Sequence, residues 1–174
     1  TNGELVRVFP FVDRITWGEI TPDGKVTAKV YPDKEGEPVH FWPGPAGAKE
    51  WTHAAYSPRT GLLYVPVQDV GATATRRRRE FKESIPYWGA GVAVDLEDMS
   101  GSISAFDPRT GEERWRWRND IPMCSSLLTT GGNLVLGQID WDEGECRVID
   151  ARGDGVPRGA LIPLAPGVPV NGSL

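Results

Sequence analysis

The stretch Gly101–Trp117, GSISAFDPRTGEERWRW, narrows the possible folds of this chain more than any other. Ser102-Ile103-Ser104-Ala105-Phe106 alternates small or polar residues with apolar ones, the period of a strand with one buried face. Asp107-Pro108-Arg109-Thr110-Gly111 supplies turn chemistry. Asp107 can accept hydrogen bonds from the backbone ahead of it, Pro108 presets the first turn residue, and Gly111 tolerates positive φ. Glu112–Arg118 alternates again, with Trp115 and Trp117 on one face and Arg114, Arg116 and Arg118 on the other. The stretch predicts a β-hairpin that ends in a large aromatic anchor.

The same turn recurs as Ser57-Pro58-Arg59-Thr60-Gly61, between the strand patterns Trp51–Tyr56 and Leu62–Val67. Two hairpins in series predict a four-stranded antiparallel meander, which 69–99 interrupts as a long insertion. Met123–Leu128, Leu134–Gly137, Cys146–Asp150 and Ala160–Leu164 form a second set of strands. Upstream, Leu5–Phe9 reads as a short strand. Thr16–Gly18 and Lys25–Tyr31 flank the turn Pro22-Asp23-Gly24, and Val39–Trp42 is a brief apolar run ended by the loop PGPAG. Four-stranded units repeated every 40–50 residues or so are the signature of a β-propeller, whose blades need neighbours on both faces. The expected fold is all-β: a partial β-propeller of roughly three four-stranded antiparallel blades. Residues 50–118 would be one blade with its insertion, and 123–164 the next.

Composition agrees. Gly 21 and Pro 15 in 174 residues suit many short strands and tight turns, and seven Trp suggest a repeated aromatic position. A net charge of −5 argues against nucleic acid as the partner of the whole surface. No segment has the length of a membrane span. The chain opens at Thr1 within turn-like residues and stops in the apolar run VPVNGSL, so it is expected to be an internal fragment of a longer protein. Cys124 and Cys146 make neither a disulfide framework nor a metal cluster, and two buried free thiols are expected.

These residues resemble a known family. Ala105-x-Asp107-x-x-Thr110-Gly111-x-x-x-Trp115 resembles the tryptophan-docking motif of the pyrroloquinoline-quinone (PQQ) dehydrogenases, propellers that include methanol and ethanol dehydrogenases. The run from Trp42 through Trp51, followed by Ala55–Pro66 (AYSPRTGLLYVP), is similar to a second segment of that family. Leu128–Val135 (LTTGGNLV) and Thr1-Asn2-Gly3 are similar to further phrases in the same order. The resemblance implies a dehydrogenase that oxidises a small alcohol by hydride transfer to PQQ, held beside calcium or a lanthanide, with a separate electron acceptor and a periplasmic location. It also implies that Trp115 stacks against a neighbouring blade. The family's adjacent cysteines, metal ligands and catalytic aspartate would all lie upstream of Thr1, so neither a catalytic nor a metal-ligating residue is expected here. The fragment alone is expected to be inactive.

Two departures stand out. Val148-Ile149-Asp150-Ala151-Arg152 begins a second docking motif that lacks its Thr-Gly and closing Trp. The family's cofactor-facing Asn-Trp pair is Glu50-Trp51 here. A carboxylate in place of a donating amide would repel a PQQ oxygen unless it were protonated or paired with a cation. Glu50 and Trp51 are nonetheless the candidate cofactor-binding residues. For Trp51, burial in the core and a place at the rim of a central funnel stand about level. A non-catalytic propeller serving as a scaffold for protein partners is the rival reading. Arg76–Arg79 reads as part of a solvated loop, with partner or substrate gating as the sharper alternative. His40 and His53 lack a second ligand nearby. Asp140, Asp142, Glu143 and Glu145 read as a charged hairpin tip rather than a calcium loop.

Overall fold

The computed structural model describes residues 2–78, 80–85, 87, 89–138, 145–150 and 162–163. No helix occurs among them; thirteen strands do. They fall in two compact units: residues 1–48 with 69–99, and residues 49–68 with 100–174.

The second unit carries the repeated turn. Strands β4 (Ala55–Ser57), β5 (Leu62–Asp69), β8 (Ser100–Phe106) and β9 (Glu113–Asn119) form one four-stranded sheet in that order. The expected meander is therefore present, with 69–99 inserted between its middle strands. Ile103 lies opposite Trp117 and Ala105 opposite Trp115, with a bulge after Ala105. Both turns close alike. Gly111 N–H donates to Asp107 O, and Gly61 N–H donates to Ser57 O, each at 2.8 Å. Gly111 (φ 78°) and Gly61 (φ 69°) occupy the left-handed region that a side chain disfavours.

A second four-stranded sheet runs β10 (Leu127–Thr129), β11 (Leu134–Gln138), β12 (Glu145–Asp150) and β13 (Ile162–Pro163). Ala55, Tyr64, Ile103, Ala105, Trp115, Leu127 and Val135, drawn from both sheets, and Met123 from the connection between them form the core of this unit. Trp115 lies against Tyr64, ring centroids 5.6 Å apart. Trp117 is partly buried against the same cluster. Strand β8 departs from the expected one-sided burial: Ser102 and Ser104 are buried as well as Ile103 and Ala105. Over 102–105 its alternation separates hydroxyl-bearing from apolar side chains, both covered, not wet from dry faces.

In the first unit, β1 (Glu19–Ile20) and β2 (Val26–Thr27) form the expected hairpin, shorter than its sequence pattern. Strands β3 (Pro38–Phe41), β6 (Ala72–Arg76) and β7 (Ala90–Val94) form an antiparallel three-stranded sheet. The insertion is not loop throughout: both its ends are strands, and the Arg76–Arg79 run read as part of a solvated loop begins at the last residue of β6. Ala72 and Ala74 are small enough to be buried in β6, whereas Arg77 and Arg78 are exposed. Leu5–Phe9 is not a strand, because none of the sheets takes it as a partner and Leu5 and Val6 stay exposed. Arg79, Asp140, Asp142, Glu143 and the end of the decayed motif from Ala151 lie outside the described residues.

Candidate functional site

Trp51 and Glu50 precede β4 on the second unit. Trp51 is 76% exposed within this chain. Glu50 is exposed too, and its backbone carbonyl accepts a hydrogen bond from Lys49 Nζ at 3.2 Å. Between Trp51 and exposed His53 sits Thr52, only 2% exposed.

The segment is held firmly. Leu127 N–H donates to His53 O at 2.9 Å, and Thr129 Oγ1 donates to Tyr56 O at 3.1 Å, so β10 runs alongside β4 and its approach. Ser126 Oγ accepts from His53 N–H at 2.9 Å and lies 3.2 Å from His53 Nδ1. Sequence reasoning gave His53 no role because its partner is distant in the chain. Cys124, close to Ser126 in sequence, is a free thiol but half-buried where a buried one was expected.

The docking-motif residues are brought together. Ala105 and Trp115 are cross-strand partners, and Asp107, Thr110 and Gly111 build the turn. Asp107 Oδ1 accepts from Arg109 N–H at 2.9 Å, while Arg109 grips both carboxylate oxygens at 3.1 and 2.9 Å. That guanidinium, and then the backbone N–H, hold the Asp107 carboxyl down at about 2. Trp115 is 8% exposed, and its Nε1 is buried without a hydrogen-bond partner among the described residues.

A polar cluster that the sequence did not reveal lies in the first unit. Arg14 stacks over the Trp42 ring, 3.2 Å from its centroid, and pairs with Asp98 at 2.7 Å and Asp69 at 3.5 Å. Burial works against the Arg14 charge, but the two carboxylates outweigh it and raise its pKa further. His40 meets the Trp42 edge at 5.9 Å and bonds to Asp95 through Nε2. A Cβ on Gly71 would fall 2.5 Å from the Trp42 ring, so the backbone reaches this indole only as glycine. The loop WPGPAG was the available signal, since an indole beside chain-breaking residues needs a nearby surface. The arrangement is a clamp joining the segment around Arg14 to the insertion.

The same unit holds a cleft of about 850 Å³ lined by Phe9, Phe11, Ile15, Trp17 and Ile20 among others, apolar but for Glu19 and Thr21. It offers no nucleophile and no acid–base pair. Among the described residues no three His, Cys, Asp or Glu side chains converge on a metal position. Among the described residues there is no helix long and apolar enough to cross a membrane.

No family model matches the chain. It is 37% identical to the quinoprotein alcohol dehydrogenase PedH of Pseudomonas putida over a 149-residue alignment covering 78% of this chain and 24% of that protein. It is 36% identical to the quinoprotein ethanol dehydrogenase of Pseudomonas putida over 148 residues, with the same two coverages. The chain thus spans about a quarter of the length of these relatives. Among solved structures, it superposes with a TM-score of 0.73 on the quinohemoprotein alcohol dehydrogenase ADHIIG of Pseudomonas putida HK5, at 22% identity over 89% of this chain and 25% of that one. For the quinohemoprotein alcohol dehydrogenase of Comamonas testosteroni the TM-score is 0.71, at 24% identity over 92% of this chain and 26% of that one. A europium-containing methanol dehydrogenase gives 0.69, at 24% identity over 82% of this chain and 26% of that one. The fold is all-β and that of a partial β-propeller.

Proposed function

Since the chain belongs to the quinoprotein alcohol dehydrogenase family, we propose that it forms one wall of the cofactor funnel in a PQQ-dependent enzyme that oxidises small alcohols. The exposed indole of Trp51, two residues before the hydrogen-bonded backbone of His53, carries this reading. A large aromatic left 76% in the open, at the position where the family faces its cofactor, has a flat surface suited to a planar quinone.

The residues fit PQQ in part. Trp51 fits as a stacking surface. Glu50 does not fit as a hydrogen-bond donor, because an ionised carboxylate only accepts. When bound, PQQ supplies the hydride acceptor for alcohol oxidation. The role of this chain is to bind and orient: Trp51 fixes the plane of the ring, and the strand-like anchoring of 53–57 on β10 keeps that indole in place. Calcium or a lanthanide, the catalytic base and the electron acceptor's docking site would come from the rest of the protein. A periplasmic location goes with the same reading.

Glu50 favours a second reading, a propeller that keeps the scaffold and serves protein partners without chemistry. Loading the full-length protein with PQQ and either calcium or a lanthanide separates the two. Alcohol-dependent dye reduction is expected. A loaded protein that gives none with either metal supports the scaffold.

A further inference from the structure

We propose that the loop 77–89, at the end of the β6–β7 hairpin, docks on an anionic lipid surface. Its exposed aromatic side chains enter the headgroup layer and its cations meet the lipid phosphates. The proposal is independent of the cofactor reading, in which no residue of this loop takes part.

Strands β6 and β7 stop pairing at Arg76 and Ala90. The connection 77–89 is therefore far longer than the two to five residues or so that close most hairpins, and connections of that length commonly carry function. Its base is fixed: Gly36 N–H donates to Arg76 O at 3.0 Å, and the Arg76 guanidinium donates to Asp33 O. Beyond that base every described residue of the loop is exposed within this chain. Phe81 is 72% exposed, Ile85 58% and Tyr87 52%. These side chains still hold a set arrangement. Phe81 and Tyr87 meet edge to face, ring centroids 6.1 Å apart, and Ile85 N–H donates to Lys82 O at 3.3 Å in the turn between them. The loop folds on itself yet leaves its apolar groups in water, which is unfavourable until a partner covers them.

Charge identifies the partner. By sequence, 76–89 holds five cations, Arg76–Arg79 and Lys82, against the two carboxylates Glu80 and Glu83, although the whole chain carries a net −5. Arg77, Arg78 and Lys82 form no ion pair with the described residues. Positive charge is thus gathered where the apolar side chains are exposed. The matching surface is anionic with an apolar layer just beneath, as in a bilayer containing acidic lipids. Phenyl and phenol rings suit the depth of the headgroups, and long Arg and Lys stems keep their charges at the phosphates while apolar neighbours go deeper. An acidic protein fits less well, because three apolar side chains on one loop supply only part of the roughly 800 Å² that each partner buries in a stable interface.

The test is co-flotation of the full-length protein with mixed phosphatidylcholine–phosphatidylglycerol vesicles and with vesicles of phosphatidylcholine alone, with melting temperatures measured alongside. Binding to the mixed vesicles is expected, weakened by high salt, with little to the neutral ones. Arg77→Gln combined with Arg78→Gln should weaken it about tenfold or more, and so should Phe81→Ser combined with Ile85→Ser. Phe81→Trp, which keeps an aromatic ring, should retain binding. Melting temperatures should stay near that of the unaltered protein, because all four positions are exposed. No binding to the mixed vesicles, or binding that either double variant leaves unchanged, overturns the proposal. If the serine pair alone has no effect, the cations recognise a plain anionic surface such as that of an acidic protein, and the lipid assignment falls.

Discussion

Asp107 and Ser57 occupy the same place in two copies of one turn and solve it with different chemistry. Ser57 offers its backbone carbonyl to Gly61 N–H and to Thr60 Oγ1 at 3.4 Å. Asp107 adds an ionised carboxylate gripped by Arg109. Because the folded Asp107 carboxyl sits at about 2, below its ordinary 3.8, this contribution is fully present above pH 4 or so. It disappears as the pH falls through the folded value. Melting curves of the full-length protein and Asp107→Asn should therefore differ at pH 5 and converge towards pH 2. Equal separation at both would mean the carboxylate charge plays no part. That Asp107 caps its turn was readable from DPRTG. Arg109 reaching back to grip it was not, because an arginine in a turn ordinarily points to water.

At the scale of elements, the β8–β9 hairpin is the piece on which the second unit is assembled. Trp115 and Trp117 leave the same face of β9, and Trp115 closes over Tyr64 and joins the cluster that includes Leu127 and Val135 of the other sheet. Truncating a buried indole removes its transfer free energy and leaves a cavity, so Trp115→Ala should cost about 3–5 kcal/mol. Trp115→Phe should cost clearly less, since it keeps most of the ring and removes an N–H that has no partner among the described residues. The apparent melting temperature of the full-length protein reads both. Equal, small shifts would show that Trp115 is not part of the packing. The hairpin was legible because alternation and turn chemistry are local. The insertion was not: β6 pairs with β3 some thirty residues upstream and β7 with β6, and no local pattern records which distant strand a segment will meet.

For the whole molecule, the decisive fact is coverage: the chain matches about a quarter of its relatives. No three metal-ligating side chains gather among its described residues, and its candidate contact to a cofactor is one indole and its neighbours. The 174-residue segment, expressed alone and given PQQ with calcium, should show no alcohol-dependent dye reduction. Turnover by the segment would mean that a complete site lies within it, and the wall assignment would have to be abandoned.

Sequence alone determined the all-β class, the paired hairpins with their glycine-closed turns, and the family likeness. Each of these depends on neighbours a few residues apart, where side-chain period and permitted φ act directly. Tertiary structure decided that Trp51 is exposed on this chain, that Ser126 bonds to His53, and that Arg14 is held over Trp42 while pairing with Asp69 and Asp98. Those outcomes turn on which remote surfaces meet when the chain closes, and an indole, an imidazole or a guanidinium has the same local signature whether it ends in water or against a partner.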